Sequence, residues 1–118
     1  MDFPQFQGAW PALITPQSYD LGVNQGILRD LTSYLLKKGV GGLYLCGSTG
    51  EGVFMSVPER KQVTATVMEF VNGRVPVIVH VGANATRDAV DLARHAEYCG
   101  AQGVASILPT FGRGIEST

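Results

Sequence analysis

Four runs of strand character recur along the chain, and a segment with helical spacing of apolar residues separates each run from the next. The runs begin near residues 8, 42, 75 and 103, so successive starts lie 34, 33 and 28 residues apart. A connection that carries a helix joins parallel strands, because the chain must cross back to the same end of the sheet. The pattern therefore predicts a repeating βα unit with a parallel sheet.

The four predicted strands differ in regularity. The third, over 75–81, has β-branched residues on both faces, as expected for a parallel strand that is covered on both sides. The first, over 8–14, contains Pro11, which lacks the N–H that a sheet ladder needs, so this strand should be short or irregular. The second and fourth strands are predicted over 42–46 and 103–108.

The segments between the strands predict three helices, over about 25–38, 56–71 and 86–98. Asn24 is placed to cap the first helix, and Gly39 to end it. The second helix begins with Ser56 three residues before Glu59, which is the spacing of a capping box. These boundary residues support the helical interpretation of the periodicity.

The second strand runs into a polar, glycine-rich turn, Gly47-Ser48-Thr49-Gly50-Glu51-Gly52. Its three glycines, at 47, 50 and 52, can adopt positive φ and let the backbone approach a ligand closely. Backbone N–H groups and the hydroxyls of Ser48 and Thr49 would then converge on a small anion, either a carboxylate or a phosphate. The alternative is an ordinary strand-to-helix turn, in which the glycines relieve strain and the hydroxyls bind local backbone groups. For an isolated turn of this kind the alternative is favoured.

Composition and charge exclude several classes of partner. The chain has 118 residues, is 45% hydrophobic and carries a net charge of -1, which is typical of an ordinary globular domain. The longest basic cluster is Lys37-Lys38, which argues against nucleic acid and anionic membranes as partners. Apolar runs fall short of the roughly 20 residues that a membrane span needs. The N-terminus has no signal-peptide pattern, so a cytoplasmic location is expected.

The cysteines and histidines do not have the spacing of a metal site. Cys46 and Cys99 lie far apart, and the simplest interpretation is two reduced, buried thiols. His80 and His95 share no ligand spacing with them, so no metal is expected. His80 lies within a β-branched strand, which favours a packed, hydrogen-bonded core residue over an acid or base.

Two parallel architectures fit four βα-type units: half of a (β/α)₈ barrel, or a small doubly wound sheet. A dinucleotide-binding sheet would need G-x-G-x-x-G after its first strand, but the sequence there is Leu13-Ile14-Thr15-Pro16. A barrel takes about 250 residues, so residues 1–118 are predicted to be a single partial domain, the N-terminal half of a barrel. Residues 110–118 depart from the pattern and are expected to form a disordered tail.

Several motifs together resemble the N-terminal half of the dihydrodipicolinate synthase / N-acetylneuraminate lyase family, over about residues 7–109. They are Gly47-Ser48-Thr49-Gly50-Glu51-Gly52, Ser56-Val57-Pro58-Glu59-Arg60, Val79-His80-Val81-Gly82-Ala83-Asn84 and Ala101-Gln102-Gly103, in the family's order and spacing. The resemblance implies a (β/α)₈ barrel and a class I, Schiff-base aldolase that acts on pyruvate or a related 2-oxo acid. It also implies a homo-oligomer, usually a tetramer, and no cofactor.

The resemblance assigns roles to the residues of the glycine-rich turn. Ser48 and Thr49 would bind the pyruvate carboxylate, and Thr49 would also join a proton relay with tyrosines. Gly47, Gly50 and Glu51 would support the loop. For Glu51 a structural role is favoured over a general-base role, because a carboxylate beside an anion site would repel the substrate.

Three departures limit what this chain does alone. Its lysines, Lys37, Lys38 and Lys61, all fall in predicted helices, so the Schiff-base lysine is not in this chain. The active-site tyrosine of the family's later strand is absent for the same reason. Phe111 stands where the family has an aromatic pair, and a phenylalanine has no hydroxyl to pass a proton.

Two hypotheses remain open. The first is the N-terminal half of a pyruvate-dependent lyase or synthase that is inactive alone; Ser48 gives a slight preference for the N-acetylneuraminate lyase side. The second is a non-catalytic fragment that binds a small carboxylate or associates with itself.

Overall fold

Three helices alternate with three parallel strands along residues 4–107, the part of the chain that the computed structural model describes. The elements are α1 (Gln25–Lys37), β1 (Leu43–Leu45), α2 (Val57–Val71), β2 (Val77–His80), α3 (Thr86–Tyr98) and β3 (Gly103–Ala105). Short 3₁₀ turns cover Pro4–Phe6 and Gly52–Phe54. The sheet order is β1-β2-β3 with both pairs parallel, which confirms the predicted βα repeat.

The first predicted strand is reduced to a single parallel bridge between Ala12 and Tyr44. The N–H of Leu13 donates to the Tyr44 carbonyl at 2.9 Å, and the N–H of Tyr44 donates to the Pro11 carbonyl at 3.1 Å. Pro11 has no N–H with which to extend the ladder, so pairing does not propagate into a strand. The segment nevertheless lies beside β1, on the side opposite β2.

The helix ends follow the predicted capping residues. The side chain of Asn24 accepts a hydrogen bond from the Ile27 N–H at the start of α1. Ser56 and Glu59 form the predicted capping box at the start of α2, with both reciprocal hydrogen bonds present. Gly39 has a positive φ of 79°, which ends α1 in the conformation that glycine adopts most easily.

The core lies between the helices and one face of the sheet. Alternate strand residues point into it, as a two-residue period requires. Among the buried apolar side chains of the helices and strands are Leu28 from α1, Leu43 and Leu45 from β1, Val63, Val67 and Val71 from α2, Val77 and Val79 from β2, and Leu92 and Ala96 from α3. Burial of each large apolar side chain stabilises the fold by about 1.5–3 kcal/mol.

The opposite face of the sheet carries Tyr44, Ile78 and His80, which are half-buried. No helix of the described part of the chain covers this face. Phe111, the predicted 110–118 tail and the end of the fourth predicted strand lie outside the described residues. Within residues 4–107, no helix is long and apolar enough to cross a membrane.

Candidate functional site

The loops that leave the carboxyl ends of the strands meet at one edge of the sheet. The hydroxyl of Thr15, in the loop after the first segment, donates to the Gly50 carbonyl at 2.7 Å. The N–H of Val81, just past β2, donates to the Ala105 carbonyl at 2.8 Å. Parallel strands place successive loops on the same side, so this edge is where a site can be assembled from several loops.

The turn after β1 is closed by its own backbone. The N–H of Gly52 donates to the Gly47 carbonyl at 3.1 Å, and the N–H of Glu51 donates to the Ser48 carbonyl at 3.0 Å. Ser48 and Thr49 lie exposed at the tip. In the described part of the chain their N–H groups donate no backbone hydrogen bond, so two N–H groups and two hydroxyls remain available to a ligand.

Positive φ in this turn falls on residues other than those predicted. Cys46 has φ 60° and Glu51 has φ 59°, whereas the glycines at 47, 50 and 52 are not in the left-handed region. A non-glycine residue with positive φ is uncommon, and two in six residues indicate a backbone that the surrounding packing constrains. The three glycines therefore do not use the positive φ that they were expected to allow.

The glycines are needed instead because the turn packs tightly on its own strand. A Cβ atom at Gly52 would lie 2.0 Å from the Cys46 carbonyl oxygen, a distance that no real contact allows. A Cβ atom at Gly47 would lie 2.4 Å from the Tyr44 ring. The absence of a side chain thus lets the turn fold back onto β1 and present Ser48 outward.

Glu51 contributes through its backbone rather than through its carboxylate. Its side chain is exposed and makes no capping hydrogen bond to the following 3₁₀ turn. The structural role expected for Glu51 is therefore not one of capping by its carboxylate. The Glu51 carbonyl accepts the Phe54 N–H at 3.0 Å, which joins the turn to that 3₁₀ segment.

Arg60 of α2 is a site residue that the sequence reasoning missed. Only 4% of it is exposed, and its guanidinium donates to two carbonyls at the end of β2 and in the loop after it: Nη2 to His80 at 2.6 Å and Nη1 to Gly82 at 2.8 Å. Its Nε is buried and has no hydrogen-bond partner. A signal was present, because Arg60 stands on the same helical stripe as the core residues Val63 and Val67.

A cavity of about 300 Å³ lies between the loops after β1 and β2. Its polar lining includes Ser48, Arg60, His80 and Asp88, and its apolar lining includes Ile107. Thr49 is not among the lining residues. The structure thus brings Ser48 together with a buried cation, and places Thr49 at the same turn but outside this cavity.

Burial governs the titration of the neighbouring groups. Cys46 is buried as predicted, and burial raises the pKa of its thiol to about 11, although the nearby charge of Arg60 lowers it. Such a thiol is protonated at neutral pH and is a poor nucleophile. Burial, and then the charge of Arg60, lower the pKa of His80, so its imidazole is neutral at pH 7. His80 lines the cavity rather than the core, which corrects the sequence-based expectation.

The second cysteine is only partly buried, contrary to the prediction of two buried thiols. Cys99 lies 3.6 Å from Nε2 of His95, one helical turn earlier on α3. Burial raises the pKa of the Cys99 thiol. This pair lies at the C-terminal end of α3 and does not line the cavity beside the turn after β1.

Lys37 and Lys61 lie on helices, as predicted, and Lys38 is the C-cap residue of α1. Lys61 forms an ion pair with Asp91 at 2.9 Å, and Lys38 lies over the Tyr34 ring at 5.3 Å. Lys37 is the last residue of α1 and is exposed. None of the three projects from a strand end, so the described residues offer no desolvated amine at the site.

Comparison with known proteins identifies the family. A sequence profile described as the dihydrodipicolinate synthetase family matches residues 5–116. The chain belongs to this family. It is 43% identical over 110 residues to a 4-hydroxy-tetrahydrodipicolinate synthase of Methanopyrus kandleri, covering 92% of this chain and 37% of that protein. It is 38% identical over 107 residues to an N-acetylneuraminate lyase of Mediterraneibacter gnavus, covering 91% of this chain and 34% of that protein.

Solved structures of the family share the fold. A catalytic lysine mutant of Ruminococcus gnavus sialic acid aldolase superposes with a TM-score of 0.93 at 36% identity, over 98% of this chain and 38% of that one. YagE, a prophage protein of the family from E. coli K12 solved in complex with pyruvate, superposes with a TM-score of 0.90 at 31% identity. The match covers 95% of this chain and 38% of that one. The chain therefore forms part of a (β/α)₈ barrel and spans little more than a third of the length of these relatives.

Proposed function

We propose that this chain is the N-terminal part of a pyruvate-dependent, Schiff-base aldolase-type lyase or synthase, and that the turn 47–52 binds the substrate carboxylate. The observation that carries the proposal is the tip of this turn. The two hydrogen bonds that close the turn, from the Gly52 N–H and the Glu51 N–H, do not use the N–H and hydroxyl groups of Ser48 and Thr49, which remain available. Converging N–H and O–H donors favour an anion over a neutral ligand. The pyruvate complex of YagE supports the choice of anion.

The carboxylate would accept hydrogen bonds from Ser48 and Thr49, which fixes the adjacent 2-oxo carbon in the barrel. An amine then adds to that carbon, and loss of water gives the imine. Lys37, Lys38 and Lys61 do not provide this amine, because each is a solvated or ion-paired helical charge. The reacting amine belongs to the strands that complete the barrel. Thr49 passes a proton during these steps.

The choice between a lyase and a synthase depends on the second substrate. Relatives with both names match this chain at similar identity. The residues that choose the second substrate lie mostly in the remainder of the barrel. The proposal therefore names a 2-oxo acid as the first substrate of either reaction.

Borohydride trapping with pyruvate tests which part of the barrel supplies the amine that forms the imine. The 118-residue chain alone should give no reduced adduct, because none of its lysines is desolvated beside the turn. A barrel fusion, in which this chain replaces the matching part of Ruminococcus gnavus sialic acid aldolase, should give one adduct on the lysine of the added part. A specific adduct on Lys37, Lys38 or Lys61, located by peptide mass mapping, would contradict the assignment. A fusion that folds and yields no adduct would favour the alternative, a non-catalytic carboxylate-binding fragment.

A further inference from the structure

The guanidinium of Arg60 is a buried cation without a carboxylate partner. The ion pair found within residues 4–107 joins Lys61 to Asp91, and Asp88, which lines the same cavity as Arg60, makes none with it. Two carbonyl acceptors offset part of the desolvation of Arg60, but its Nε remains unsatisfied. Burying a charge without a charged partner costs folding free energy. A buried arginine at this position therefore indicates that its charge has a function.

Arg60 lies in the same cavity lining as Cys46 and Gly47, at the start of the turn that carries the proposed carboxylate site. Its charge lowers the pKa of the thiol of Cys46, the residue just before the turn and two positions before Ser48. Arg60 and Ser48 also line the same cavity. A fixed positive charge that is already desolvated attracts an anion without reorganisation when the anion binds.

We propose that Arg60 is a positioning residue for the bound carboxylate: its fixed charge favours an anion at Ser48 and Thr49, and its two carbonyl hydrogen bonds hold the loop after β2 against α2. This inference rests on the proposed function. It adds a residue of α2, outside the turn itself, to the groups that determine affinity for the 2-oxo acid.

A purely structural role of Arg60 would give a different pattern of pyruvate affinities among its variants. Arg60→Lys keeps the charge but cannot donate to two carbonyls in the geometry of a guanidinium fork. Arg60→Met removes the charge and keeps much of the apolar stem. If only the tie to the loop matters, both variants weaken binding alike. If the charge matters, the lysine variant retains most of the affinity.

The experiment titrates the ¹⁵N-labelled barrel fusion with pyruvate and follows the amide signals of Ser48 and Thr49. We expect Arg60→Met to weaken the Kd about tenfold, and Arg60→Lys to remain within about threefold of wild type. Arg94→Met, on the exposed side of α3, is the matched control and should leave the Kd for pyruvate unchanged. An Arg60→Met Kd within twofold of wild type, or equal losses in both Arg60 variants, would overturn the inference.

A second measurement needs no substitution and therefore does not depend on how the variants fold. The charged and titratable neighbours of His80 are Arg60 on α2, Tyr44 on β1 and Asp88 across the cavity on α3. A carboxylate bound beside Arg60 adds a negative charge to this set. Saturation with pyruvate should therefore raise the pKa of His80, measured from its ring protons, and leave that of His95 unchanged. An unchanged His80 would overturn the inference.

Different results would contradict the carboxylate site and the role of Arg60. If Ser48→Ala weakens pyruvate binding while Arg60→Met does not, the role of Arg60 is wrong and the carboxylate site stands. If pyruvate causes no saturable shift at Ser48 and Thr49, the proposed function itself is contradicted, and the inference falls with it.

Discussion

At the scale of single residues, the site depends on close approach between backbone segments. Gly52 lies against the Cys46 carbonyl with no room for a Cβ atom, and Cys46 itself has positive φ. The strain at Cys46 is tolerated because the bonds within the turn and the burial of the thiol hold it in place. The exposed position of Ser48 follows from this constraint.

Gly52→Ala should therefore destabilise the fold by about 1–3 kcal/mol, because the added methyl group forces the turn away from β1. Gly26→Ala is the matched control: Gly26 lies in the first turn of α1, where a Cβ atom would meet only the Asn24 side chain, at 3.6 Å. That substitution should stabilise the chain by roughly 0.5–1 kcal/mol. Urea unfolding measures the change in the free energy of unfolding for both variants. Equal effects of the two alanines would show that the close approach at Gly52 is unimportant.

The sequence indicates the position of the turn but not its conformation. Glycines and hydroxyls directly after a strand were enough to select Ser48 and Thr49 as candidates. The φ values of Cys46 and Glu51 depend on which atoms of β1 and the turn meet, and this tertiary contact has no local signature. Arg60 was missed because charged residues on a helix are usually exposed, although its place on the apolar stripe of α2 was visible.

At the scale of elements, local signals fixed the helix boundaries well. Caps and stops act through a few adjacent residues, so Asn24, the Ser56–Glu59 box and Gly39 could be identified from sequence. The first strand could not be predicted in detail, because its single bridge depends on how the segment meets Tyr44. Pro11 correctly indicated an irregular strand, but not its reduction to one pair.

The capping box makes stability depend on pH. Hydrogen bonds from the backbone and the hydroxyl of Ser56 lower the pKa of Glu59, so its carboxylate stabilises the fold above the ordinary glutamate pKa of about 4.3. This contribution is lost as the pH falls below that value. Glu59→Gln should reduce stability at pH 7, and the difference from wild type should shrink towards pH 3. Glu69→Gln, in the exposed last turns of α2, should show no such trend when urea midpoints are compared across this range.

At the scale of the whole molecule, the described residues form an open part of a barrel. The outer edge of β3 has no strand partner within residues 4–107, and Val104 and Ile107 are 51% and 64% exposed. The repeat length predicted this architecture, since four βα-type units amount to about half of a barrel.

The 118-residue chain should therefore self-associate. Unpaired strand edges and exposed apolar faces pair with other copies when no strand of the same barrel covers them. Sedimentation velocity over a range of concentrations is the test, and the barrel fusion is the control, since its added strands cover the same edge. A monodisperse monomer that melts cooperatively would contradict this expectation.

The central claim is that Ser48 and Thr49 bind the substrate carboxylate, and steady-state kinetics of the barrel fusion test it most directly. Charge-assisted hydrogen bonds are worth roughly 1.5–3 kcal/mol each, so Ser48→Ala should raise KM about tenfold to a hundredfold, with a smaller effect on kcat. Thr49→Val keeps the side-chain shape and should also lower kcat about tenfold or more, because a proton-relay hydroxyl is lost. Ser33→Ala on α1 is the control and should leave both constants unchanged. If KM and kcat of the Ser48 and Thr49 variants stay near those of the unsubstituted fusion, the turn is only structural and the account is contradicted.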